Sequence, residues 1–197
     1  MGQSNQIESL VNKGLFKVLY DILNCQYLQI YEQAIWIVGN VSVDSSKYRI
    51  EMRRLNFIQI ITDKILQQDD FDVIKYSNWA LSNLCRGDLT HKSQRESIAA
   101  FTKVILTYKD EDMLKDALIC LVDLMDKNMI QAFIEAGLVK KLSELSQSIT
   151  KVHPLIIPIV SIVCLINSGE HEDCSHCVEC GFVDILFGWL ELPDLKK

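Results

Sequence analysis

Two stretches of this chain repeat each other at a fixed distance, and that repetition constrains the fold more than any other feature. EQAIWIVGNVSVD spans 32–44 and YSNWALSNLCRGD spans 76–88. Each holds a tryptophan followed four residues later by an asparagine: Trp36 with Asn40, then Trp79 with Asn83, both members recurring after 43 positions. Glycine supplies a second register. Gly14, Gly137 and Gly181 each stand between a short helical stretch and an amphipathic one, the last two being 44 positions apart, and Asn56 takes the same slot 42 positions after Gly14. Glycine, and asparagine next to it, enter left-handed backbone at the lowest cost, so these positions predict tight turns between helices. Units of this length cannot each bury an apolar face alone, and must stack on their neighbours.

A period of about 40–44 with three helices per unit predicts an all-α fold, the armadillo-repeat right-handed superhelical solenoid, with about four to five three-helix repeats. The repeats are expected near 4–43, 44–86, 90–126 and 127–169, with a partial fifth over 170–197, making a single solenoid over 1–197. Third helices are predicted to begin near Leu28, Asp70, Asp110 and His153, where two of the four starts carry an acid suited to a helix N-terminus. Strand-rich folds are disfavoured, because there is no Asn-Gly or Asp-Gly hairpin and no sustained period-two alternation. No glycine-rich phosphate loop supports an α/β enzyme.

The chemistry of the repeated pair follows from helical spacing. Residues i and i+4 share a helix face, so each tryptophan points the same way as its asparagine. Third helices of successive repeats line one concave surface, which would set the two pairs as rungs roughly 10 Å apart. An asparagine amide can pair with both N–H and C=O of an extended ligand backbone. Indole faces can hold Lys or Arg stems between them, each contact being worth about 0.5–2 kcal/mol. Acids at the ends of the slots, Asp44 and Asp116, would then select a cation. A core position for the pairs would instead bury two amides, at about 1–3 kcal/mol each if unpaired. The net charge of −6 agrees with a basic ligand and disfavours nucleic acid.

EQAIWIVGN and NWALSNLCRG closely resemble the armadillo repeats of importin-alpha (karyopherin-alpha), the adaptor that recognises nuclear localisation signals. Trp36, Asn40 and Asp44 match that family's pattern in the first stretch, and Trp79, Asn83 and Arg86 in the second. The resemblance implies that this array grips a Lys-rich signal, that Asp44 meets its most critical lysine, and that Asp116 stands where the family has a groove acid. It implies cargo proteins with basic nuclear localisation signals as partners, residence in cytoplasm and nucleus, and no catalysis. The chain departs from the pattern at Ile119 and Asp123, and again at Ser161 and Leu165, so only part of a major site is expected. It shows no basic importin-beta-binding segment, so importin-beta is expected only indirectly. The alternative reading is a general armadillo protein–protein interaction scaffold without a transport role.

Other constellations read as structural. Seven cysteines, an odd number, with no apolar leader at MGQSNQIESL, point to free thiols in a reducing compartment. Gln6 stands where myristoylation needs Ser or Thr. The longest apolar stretch, 154–166, is too short to span a bilayer and holds two prolines. His171, Cys174, His176, Cys177 and Cys180 crowd together, yet they align with the short helix before Gly181, so no metal or other cofactor is expected. Cys85 and Cys120 have no evident histidine partner for nucleophilic catalysis. Asn40-Val41-Ser42 fits the glycosylation triplet but belongs to the groove. Arg49, Arg53 and Arg54 read as a solvated helix face. The apolar last helix, with Trp189, makes self-association through a solenoid end an open expectation.

Overall fold

The computed structural model describes residues 2–126, 129–149, 153–168 and 171–190, and side chains from residue 6 onward within those ranges, apart from 171–173 and 190. Every regular element among them is a helix. The chain forms two compact units that meet between Lys103 and Val104.

The first unit opens with α1 (Gly2–Asn12), α2 (Leu15–Leu23) and α3 (Leu28–Asp44), followed by α4 (Ser46–Arg54), α5 (Phe57–Gln67) and α6 (Phe71–Leu84). Most of α7 (His91–Thr107) completes it. The turns predicted at the glycine register are present: Gly14 has φ +92° between α1 and α2, and Asn56 has φ +60° between α4 and α5. In the third repeat the slot 43 positions after Asn56 holds Ala99, a strong helix former, and α7 runs through it without a break.

Helix α3 buries the stripe Tyr31, Ala34, Ile35, Val38, Gly39, Val41 and Ser42, spaced at helical intervals, and leaves Trp36, Asn40 and Asp44 outside. Its most extensive partner is α6. A buried hydrogen bond of 2.8 Å between the Tyr31 hydroxyl and Ser77 Oγ fixes how the two helices meet. Burial raises the Tyr31 hydroxyl pKa well above its ordinary value, so the phenol stays protonated. Behind this pair Phe16 meets Tyr48 and Phe57 edge-on, with centroids 6.1 and 6.5 Å apart.

Two cations tie the layers together by capping helix ends. Arg53 of α4 donates through Nε to the Leu84 carbonyl at 2.8 Å, through Nη1 to that of Asp88 at 2.9 Å, and through Nη2 to that of Arg86. These carbonyls lie at the end of α6, where no intrahelical donor is left. Lys103 of α7 does the same at the end of α5, reaching the carbonyls of Ile65, Leu66 and Gln68 at 2.9–3.1 Å. Arg49 donates to the Ser42 carbonyl at 2.7 Å. The expectation of a solvated arginine face is therefore corrected: Arg49 and Arg53 are half-buried and committed to backbone, and Arg54 alone of the three is exposed.

The second unit holds the end of α7, then α8 (Glu111–Leu124), α9 (Ile130–Glu135), α10 (Leu138–Ser148), α11 (Ile156–Asn167), α12 (His171–Glu179) and α13 (Phe182–Leu190). Gly137 and Gly181 take the left-handed turns before α10 and α13, with φ +78° and +80°. Asp110 caps α8 by accepting from the Met113 N–H at 3.0 Å, as Asp70 caps α6 by accepting from Val73 at the same distance. The last third helix starts three residues after His153, at Ile156. Pro158 falls in its first turn, where a missing N–H costs nothing. Cys177 is buried and Cys180 half-buried, as hydrophobes of the short helix before Gly181 and its turn, while the side chain of His171 lies outside the described residues. Among the described residues no group of His, Cys, Asp and Glu is arranged to hold a metal, and no helix is long and apolar enough to cross a membrane.

Candidate functional site

The outer faces of α3 and α6 bring three of the sequence-predicted residues to one place. Asn40 and Asp44 from α3 and Trp79 from α6 line an open pocket of about 610 Å³, together with Gln6, Ile7 and Leu10 of α1 and Val43 of α3. Trp36, one turn before Asn40 on the same helix, is 55% exposed. The Asn40 Nδ2 donates to the Trp36 carbonyl at 2.9 Å, which holds the amide against its own helix and leaves the oxygen without a donor among the described residues.

Asp44 is the last residue of α3, where the helix carries partial negative charge, and no basic residue lies in that last turn. Its carboxylate is exposed and has no ion-pair partner among the described residues. The neighbouring Lys47 is turned toward Glu8, 4.0 Å away. Helix dipole and carboxylate thus add at one spot, and a cation placed there is the favourable complement.

The position of Trp79 is set by a residue that the Trp–Asn pattern did not single out. A Cβ built on Gly39 would lie 2.1 Å from Cζ3 of the Trp79 indole and 2.6 Å from Cε3. The indole therefore lies directly on the bare backbone of α3, a seat that only glycine leaves open. The signal in the sequence was a glycine inside a helix, three residues after Trp36, where glycine costs about 1 kcal/mol relative to alanine. The α1 wall of Gln6, Ile7 and Leu10 carried no comparable signal.

The remaining expected residues lie elsewhere. Asn83, one turn after Trp79, is only 2% exposed, and its Nδ2 is buried without an acceptor among the described residues. The C-terminal half of α6 is covered nearly all round, from Ala80 to Leu84. Arg86 is exposed just beyond α6, and its carbonyl accepts from Arg53. Asp116 belongs to the second unit, half-buried on α8, where Ile119 and Asp123 are exposed. Cys85, behind the pocket helix, donates to Ser97 Oγ at 3.2 Å, and burial pushes its thiol up to about 11. A thiol kept protonated in this way is a poor nucleophile.

An all-helical chain with left-handed turns at this period and a Trp–Asn face is matched by known proteins in both sequence and structure. Importin subunit alpha-8 of Arabidopsis thaliana is 28% identical over 185 residues, 92% of this chain and 41% of the relative. Importin subunit alpha-1b of rice is 28% identical over 184 residues, 90% of this chain and 33% of the relative. Among solved structures, a designed armadillo repeat protein superposes with a TM-score of 0.76 at 19% identity, covering 98% of this chain and 81% of that one. The chain is an armadillo-repeat relative of importin-alpha. A second designed armadillo repeat protein, solved in complex with the peptide (KR)4, has a TM-score of 0.71 at 19% identity over 91% of this chain and 75% of that one. No protein-family model matches the chain. This importin-alpha relative spans less than half the length of the two plant importins.

Proposed function

We propose that the first unit of this importin-alpha relative binds an extended, Lys- or Arg-rich peptide across α3 and α6, and that it serves as a signal-binding adaptor in nuclear import, moving between cytoplasm and nucleus. The observation that carries the reading is the shared pocket of Asn40, Asp44 and Trp79, with a carboxylate at the end of a helix that nothing among the described residues neutralises. A lysine stem lies along the indole, its ammonium reaches Asp44, and Asn40 meets the peptide backbone. Trp36 offers a further exposed indole on the same face. Asn83 joins only after its amide turns out of the cover on α6, which would give its unpartnered nitrogen an acceptor. Arg86 and Asp116 extend the reading by resemblance alone. The solved (KR)4 complex shows that a protein of this fold binds a peptide of such chemistry.

Calorimetric titration with a Lys-rich octapeptide tests it. Binding is expected at low ionic strength, weakening as salt rises. Asp44→Lys is expected to lower affinity by about 10-fold or more, the equivalent of at least ~1.4 kcal/mol. No binding at low salt, or binding indifferent to Asp44→Lys, would overturn the reading. Transport is tested apart from binding, by asking whether the chain raises nuclear entry of a Lys-rich cargo in permeabilised cells.

A further inference from the structure

The pocket at Asp44 is larger and less polar than a lysine needs, and that excess describes its ligand more narrowly. Part of its lining is polar: Gln6, Asn40 and Asp44. Another part is aliphatic, built by Ile7 and Leu10 of α1 with Val43 of α3. Leu10 and Val43 are 51% and 50% exposed, so two helices hold apolar side chains open to water on the same cavity as an unpaired carboxylate. Isolated exposed apolar residues are ordinary, but here they share one concave site with a charge, which is how a pocket fixes both affinity and orientation.

We propose that this importin-alpha relative selects a basic peptide in which a bulky aliphatic or aromatic residue stands two positions from the lysine held by Asp44. The inference rests on the peptide-binding reading above. In an extended chain successive side chains point to opposite sides, so residues i and i+2 face the same wall, about 6.6 Å apart. A lysine directed at Asp44 therefore points the side chain two positions away into the same pocket, within reach of Ile7, Leu10 and Val43. Covering that shelf removes apolar area from water on both partners. The selected class is then basic-x-apolar, or its reverse according to peptide direction, and a run of lysines alone leaves the shelf wet.

The test uses fluorescence anisotropy with a labelled Lys-rich octapeptide and variants carrying leucine or serine two positions before or after the central lysine. For one of the two placements, the leucine peptide is expected to bind about 5-fold or more tightly than its serine counterpart. Leu10→Ser and Val43→Ser should each erase most of the difference between the leucine and serine peptides. Both positions are half exposed, so circular dichroism should report intact helices. Equal binding of the leucine and serine peptides, or a gain that survives both substitutions, overturns the proposal while peptide binding itself stands. If the parent peptide fails to bind, the underlying reading falls and this one with it.

Discussion

Gly39→Ala is expected to reverse the usual sign of a helical glycine replacement. In an ordinary helix the change gains about 1 kcal/mol, because alanine loses less backbone entropy and shields the helix. Here the new methyl would lie 2.1 Å from a ring carbon of Trp79. The indole is rigid and half-buried, so either α3 and α6 move apart or the ring swings off its seat. Overpacking of this kind costs about 1–3 kcal/mol, enough to outweigh the helical gain. The functional effect should be larger than the structural one, since the displaced ring is a wall of the Asp44 pocket. Affinity for a Lys-rich peptide is expected to fall about 10-fold or more, with near-native circular dichroism. The double variant separates the causes: in a Trp79→Ala background, Gly39→Ala should no longer weaken binding and should recover stability. A Gly39→Ala protein that is more stable and binds unchanged would show that the indole has another resting place.

Arg53→Ala is expected to give the larger loss of stability. One guanidinium serves three carbonyls at the end of α6, each 31 to 35 residues away in the chain. Removing it returns those carbonyls to partial solvation and withdraws a cation from the negative end of the helix. Hydrogen bonds from a charged donor contribute about 1.5–3 kcal/mol each when well buried, and these are partly exposed, so a total near 2–3 kcal/mol is expected. Thermal denaturation should show a melting temperature lower by roughly 5–10 °C for a chain of this size. Arg53→Lys should restore only part of it, because an ammonium cannot present the planar fork that meets three acceptors. Lys103 does comparable work at the end of α5 because its three carbonyls converge on one point. An Arg53→Ala protein with unchanged melting would reduce the contacts to incidental ones.

The fold was legible where one residue type serves one backbone need. Gly14, Asn56, Gly137 and Gly181 revealed the turns because left-handed backbone admits little else. Asp70 and Asp110 revealed two helix starts because a carboxylate there finds unpaired N–H groups. The site was legible in part: helical spacing placed Trp36 and Asn40 on one open face of α3, and the identical spacing on α6 left Asn83 covered. The difference lies in how much surrounds each helix, and periodicity along a single helix carries no record of that. Arg53 was hidden for the same reason. Its partners are carbonyls, which every residue has, so no pattern of side chains announces them. Gly39 left a trace, an unfavourable residue inside a helix, but its cause stood 40 positions away in Trp79.

The indole N–H resonances give the most direct view of peptide binding on the α3–α6 face. The chain has three tryptophans, Trp36 and Trp79 in the first unit and Trp189 on α13 in the second, hence three indole signals. On titration with a Lys-rich peptide at low salt, the signals of Trp36 and Trp79 should shift together along one saturating curve while that of Trp189 stays in place. A shift confined to Trp189, or three unmoved signals under conditions where the peptide demonstrably binds, would contradict the account.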